Sequence, residues 1–349
     1  MPSPFAVIPD PAGAAVVSSA RTPAVTSAPS RDAAAASTRV AAPVRPRWRT
    51  AITGSSKRRV RARVGGLLVA ALAAGAVACG SDDPGRTFVV GAGDSAESLV
   101  LAEIYAGALA RTGLPVRVHA DLGQRPDYLG ALDTGAVDLV GERTGGLLAA
   151  LDSSAEARTP DEVVTALHRA LPADLTLADP ADGVDMRPRL IVAEERAARD
   201  DLSTIADLLP RCAETGAGLA VMPGLPRESA EVTVHDCAFA TVVPEPDPAA
   251  LAESLRSGTL QAGLLTGPPE LAPGATDGLR VLADEDYALR AENIVPLLRT
   301  GLLDEVRMRK LNYVAGELTT AELAEMIRAV EAGDPATETA RRWLDAHGL

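Results

Sequence analysis

Aromatic side chains are scarce, at 3% of the 349 residues. That makes a site walled mainly by aromatic faces hard to assemble. The four histidines, His119, His168, His235 and His347, are scattered without the spacing of a metal centre. No phosphate-cradling Gly-x-x-x-x-Gly-Lys loop is present, so the chain has no nucleotide site of that kind, and no cofactor is expected. No internal repeat is evident. The longest apolar run, Val64–Ala78, falls short of the roughly 20 residues that a membrane-spanning helix needs.

What is there is divided by charge. Eleven Lys/Arg stand against two Asp/Glu before Cys79, whereas 23 stand against 45 from Cys79 onward. The folding part is therefore strongly acidic. Phosphate backbones are gripped by basic patches, so a nucleic-acid partner is excluded.

Residues 1–56 are rich in Ala, Pro, Ser and Thr with no sustained period, and are expected to be a disordered extension. Residues 57–78 read as a signal peptide, with basic Lys57, Arg58, Arg59, Arg61 and Arg63 followed by the apolar run. Ala76-Val77-Ala78-Cys79 resembles the lipobox of bacterial lipoproteins, which implies acylation of Cys79 and a tether over 79–86. One acyl chain binds membranes only marginally, and lipoprotein modification adds further chains. Signal sequences usually start near the initiator Met, so translation is expected to start downstream of Met1. Arg58-Arg59 lacks the flanking pattern of a twin-arginine signal.

Beyond the tether, strands and helices alternate, which indicates an α/β architecture. The strand Thr87–Val90 is followed by a helix over Ser95–Arg111, with Leu101, Ile104, Tyr105 and Leu109 on its apolar side. Further strands are expected at 116–119, 137–140, 190–193, 219–222, 261–265, 280–282 and 293–298. Helices are expected at 127–134, 144–151, about 159–171, 304–314, 320–332 and 335–347. Cys212 and Cys237 belong to an exported chain and are expected to form a disulfide, the alternative being two separate buried thiols.

Phe88-Val89-Val90-Gly91-Ala92-Gly93-Asp94-Ser95-Ala96-Glu97-Ser98 resembles the osmoprotectant (glycine betaine, choline, carnitine) binding proteins of ABC importers. So do Gly123-Gln124-Arg125-Pro126-Asp127-Tyr128-Leu129, Ala131–Val140 and Asn293-Ile294-Val295-Pro296-Leu297. The resemblance implies a two-lobed, periplasmic-binding-protein-like α/β fold with a hinge. Lobe one would comprise about 87–188 plus 291–349, and lobe two about 189–290. It further implies a small-molecule ligand (a quaternary amine or another zwitterion or anion), an ABC permease partner and no catalysis. Membrane attachment through the lipid anchor completes that picture.

Ligand-binding residues expected on this basis are Asp94, Ser95, Tyr128, Arg143, Thr144 and Asn293. Ser95 and the helix start behind it offer N–H donors to a ligand carboxylate, although Asp94 or Ser95 is equally suited to capping that helix. Glu97 is expected to be solvated or a capping partner. The family usually carries Glu-Tyr-Thr-Gly after the third strand, where this chain reads Glu142-Arg143-Thr144-Gly145. An arginine repels a cation that a tyrosine would cage, and suits a carboxylate or phosphate instead. Otherwise Arg143 forms a surface salt bridge. Two rival readings remain. One is a degenerate trap acting as scaffold or sensor. The other is a GDSL-type esterase built on Gly93-Asp94-Ser95, for which Asp345-Ala346-His347 is one residue short of the usual spacing.

Overall fold

The computed structural model describes residues 86–227 and 232–349. The expected extension, signal peptide and Cys79 lie outside the described residues.

Among the described residues ten strands form two five-stranded sheets. The first holds β1 (Phe88–Gly91), β2 (Val116–His119), β3 (Leu139–Arg143), β4 (Leu175–Leu177) and β10 (Ile294–Arg299), ordered β2-β1-β3-β10-β4. The second holds β5 (Arg189–Ala193), β6 (Gly216–Ala220), β7 (Thr241–Pro244), β8 (Ala262–Leu265) and β9 (Leu279–Val281), ordered β7-β6-β8-β5-β9. The chain leaves the first sheet after β4 and returns to it at β10. Because β10 comes back from the other lobe, it enters the sheet antiparallel to β3, pairing Ile294 with Arg143. The two-lobed α/β fold expected from the sequence is present.

Ten α-helices of the described residues surround the sheets. Those of the first lobe are α1 (Ala96–Ala110), α2 (Arg125–Thr134), α3 (Thr144–Leu151), α4 (Pro160–Ala170), α8 (Glu305–Glu317), α9 (Thr320–Glu331) and α10 (Ala336–Ala346). The second lobe carries α5 (Glu194–Asp200), α6 (Ile205–Leu208) and α7 (Pro248–Arg256). Sequence reading places one apolar side on α1. In the structure α1 is buried almost all round, because α8, α9 and α10 close over it. A helix in that position tolerates a charged residue only if the charge is paired.

Elements without apolar periodicity escape the sequence pattern. Only Ala197 of α5 is buried, and β7 is an exposed edge strand. The helix α7 had a readable start, Asp247 before Pro248, and Asp247 accepts the Ala250 N–H at 2.8 Å. Cys212 and Cys237 are joined by the expected disulfide, their Cα atoms 5.4 Å apart.

Candidate functional site

β1 and β3 run parallel, and both end at the same mouth of the first sheet. Ligands of open α/β sheets bind at such carboxyl ends. At the end of β1 the chain turns through Gly93 into α1. A Cβ at Gly93 would lie 2.8 Å from the Gly123 carbonyl and 3.2 Å from the Tyr128 ring, so only glycine lets these segments meet.

The third strand was expected to stop at Val140, but pairing with β10 carries it through Arg143. Consecutive strand residues point to opposite faces, so Glu142 and Arg143 diverge. Glu142 receives Arg125 side-on, Nε at 3.0 Å and 3.2 Å and Nη2 at 3.2 Å, and the Tyr128 hydroxyl at 2.9 Å. Arg143 turns to the first turn of α1 and donates Nε to Glu97 at 2.8 Å and 3.1 Å. Glu97 is thus neither solvated nor a cap: it is 2% exposed and ion-paired with Arg143, itself 6% exposed. The signal was present in its neighbours, since Val100, Leu101 and Ile104 leave that end of α1 no solvent face.

A small cavity lies among Asp94, Ser95, Glu97, Gln124, Arg125, Tyr128, Glu142 and Arg143, with Pro226 of the second lobe also lining it. Its volume, about 20 Å³, has room for roughly one water. Asp94 lies at the rim and accepts both contacts of the Gln124 amide, at 2.7 Å and 2.6 Å. Ser95 caps α1 by accepting the Ser98 N–H at 3.1 Å. The Glu97 N–H is taken by the Gly224 carbonyl at 3.0 Å, so this end of α1 is closed by the second lobe. Gly224 adopts φ +75, and an added Cβ would meet Ile327 of α9 at 2.4 Å, which marks how closely the lobes approach there.

Of the six residues expected to bind ligand, Asp94, Ser95, Tyr128 and Arg143 gather at this cavity. Thr144 and Asn293 do not line it. They hold each other across the β3–β10 junction, with Thr144 N–H on the Asn293 carbonyl at 2.9 Å and Asn293 N–H on Thr144 Oγ1 at 3.0 Å. The Asn293 amide also donates to the Val184 carbonyl at 2.9 Å. The sequence reading missed Glu97, Gln124, Arg125, Glu142 and the second-lobe wall at Pro226. For Glu97, Arg125 and Glu142 the signal was charge itself, placed within otherwise apolar or glycine-rich segments; Gln124 and Pro226 carry no such mark.

Burial alone would lower the Arg143 pKa, but Glu97 opposite it raises it, and the guanidinium stays charged. Glu292, whose Oε2 accepts the Gly145 and Gly146 N–H groups at 3.0 Å and 3.1 Å, behaves differently. Although the residue keeps some solvent contact, burial of its carboxyl outweighs Arg143, the Gly146 N–H and Arg125 and raises its pKa. The native state therefore keeps this proton to higher pH than the unfolded chain does. As pH rises above the ordinary glutamate value of 4.5, the unfolded chain ionises first and native stability falls. Replacing Glu292 with Gln is expected to remove that slope: between about pH 4 and about pH 7 the melting temperature of E292Q should fall less than that of the parent. A parent that gained stability relative to E292Q over this window would reverse the assignment.

A two-lobed α/β protein with a polar cavity at its strand ends, walled by both lobes, has the build of a solute-binding protein. Residues 86–346 match the family described as the substrate-binding domain of ABC-type glycine betaine transport systems, and the chain belongs to that family. It is similar to a solved glycine betaine/carnitine/choline ABC transporter protein, at 17% identity over 75% of this chain and 98% of that one, with a TM-score of 0.57. It is also similar to apo YehZ from Escherichia coli, at 17% identity over 75% and 99% of the chains, with a TM-score of 0.53. At this identity the likeness establishes the fold. No curated protein sequence matches the chain. The family is one of transport binding proteins, not of enzymes.

Proposed function

We propose that the chain is the extracytoplasmic solute-binding lipoprotein of an ABC importer, anchored through Cys79, with its quaternary-amine cage altered. The observation that supports this reading is the cavity at the ends of β1 and β3, lined by charged groups. Among the described residues Tyr128 is its single aromatic wall, and its hydroxyl is turned to Glu142. Arg143 stands where the family motif has tyrosine. Glycine betaine, choline and carnitine, after which related proteins are named, are therefore the first ligands to test. The chain acts without catalysis of its own: Ser95 is spent on capping, and His347 is engaged by Glu322 at 3.1 Å and by the Trp343 carbonyl at 2.9 Å. The lobes move about the two chain crossings, near 188 and 290.

Two measurements test the reading. Changing Cys79 to Ala should abolish acylation and move the chain from the membrane to the soluble fraction; retention of acyl label would refute the anchor. A cognate solute at about 100 times its Kd should stabilise the chain by about 2.7 kcal/mol. If betaines, choline, carnitine and free amino acids, anionic ones included, all leave the melting temperature unchanged, the binding reading fails. A second reading, a degenerate trap serving as scaffold or sensor, then gains. It is favoured by ion pairs of the chain itself filling the cleft.

A further inference from the structure

The hydrogen-bond capacity left over in the cavity has a specific chemistry. Arg143, with a side chain 7% exposed, spends Nε on Glu97, while its Nη2 is buried with no acceptor. A buried guanidinium N–H without an acceptor is a rare and costly arrangement, and its natural complement is a carboxylate. Asp94, which lines the same cavity, is exposed, and its carboxylate is held by a neutral amide rather than a cation. No arginine or lysine partners it among the described residues. The complement of Asp94 is a cation carrying N–H groups. A trimethylammonium has none and spreads its charge over methyl groups, for which aromatic faces are the better wall.

We infer that the ligand is a zwitterion with a free, N–H-bearing ammonium, its carboxylate on Arg143 Nη2 and its ammonium on Asp94, in place of a fully methylated amine. This rests on the solute-binding reading above and narrows it. The closed cavity admits about one water, so the ligand enters when the lobe carrying Pro226 draws back.

Matched pairs of free and trimethylated zwitterions test this on the purified full chain: glycine and glycine betaine, β-alanine and its betaine, 4-aminobutyrate and its betaine. The three spacings allow for the unknown distance between carboxylate and nitrogen. Isothermal titration should show at least one free amine binding tenfold or more tighter than its trimethylated partner. Changing Asp94 to Asn alters an exposed rim residue and should erase that preference without lowering the melting temperature of the free protein. Changing Arg143 to Lys keeps a charge for Glu97 but removes Nη2, and should weaken both members of the pair about equally. If the betaine of every pair binds tighter, this inference falls while the solute-binding reading stands. If neither member of any pair binds, this inference falls, and the solute-binding reading falls with it when choline, carnitine and anionic amino acids also leave the protein unchanged. Should D94N keep the full preference, Asp94 is not the ammonium site and the inference is overturned.

Discussion

Replacing Glu97 with alanine is expected to destabilise the chain by about 3–5 kcal/mol, the usual cost of removing one partner from a buried ion pair. The pair meets the conditions for a loss of that size. Glu97 and Arg143 are 2% and 6% exposed, and the contact is made through both carboxylate oxygens. Without Glu97 the guanidinium keeps its charge in a buried place and loses its hydrogen-bond acceptor. Glu292 acts on it only at longer range. For a chain of this size the melting temperature should drop by roughly 6–15 °C. The E97A/R143M double variant should recover most of the loss, because replacing a whole buried pair with apolar groups is often close to neutral. A coupling energy of about 2 kcal/mol or more in the double-mutant cycle would confirm a dry contact. A single-variant loss under about 1 kcal/mol would instead mean that water reaches Arg143. Tyr105 gives an independent readout. Burial first, and Glu97 second, raise its pKa, so E97A should let Tyr105 ionise at lower pH when tyrosinate absorbance is followed.

That ion pair also shows where the sequence could be read and where it could not. Hydrophobic period and capping residues are local, and they marked α1, α3, α4, α8, α9 and α10 to within a few residues. Ser95 ahead of Ala96 and Asp304 ahead of Glu305 sit at the caps their side chains predict. Strand ends depend on a partner strand, so β3 outran its apolar run: β10 arrives from far along the chain and pairs through Arg143. The site was half legible for the same reason. Motif residues brought Asp94, Ser95, Tyr128 and Arg143 to one place, but which charge neutralises which is a three-dimensional matter. Glu97 sits 46 positions from Arg143, and nothing in the spacing links them. Thr144 and Asn293 fit the family pattern equally well, yet their polar groups serve the strand junction. A polar residue at a strand end has two possible partners, ligand and backbone, and sequence alone does not choose between them.

Removing the disulfide, as C212A/C237A, is the second large effect expected, about 3 kcal/mol of stability on the chain-entropy model for a loop of this length. The bridge spans a sequence separation of 25, and the loop it closes holds β6 and the turn with Gly224 and Pro226. Cys212 is 3% exposed and packs with Leu208, Ala217 and Leu264 in the core of the second lobe. Truncating it therefore adds a cavity cost to the entropic one. The loss should appear as a fall of roughly 6–12 °C in melting temperature. A reductant should reproduce most of that fall in the parent and leave the variant unmoved. Two titratable thiols in the denatured, unreduced parent would reject the bridge outright. The consequence reaches the site, because the same loop supplies the Gly224 carbonyl that takes the Glu97 N–H and the Pro226 wall of the cavity. With the loop's ends untied, the second lobe should hold its side of the cleft less firmly. Hydrogen exchange at the Glu97 amide should then quicken in C212A/C237A even under conditions where the variant is fully folded. Unchanged exchange there would mean that packing against Ile327, not the bridge, keeps the loop in place.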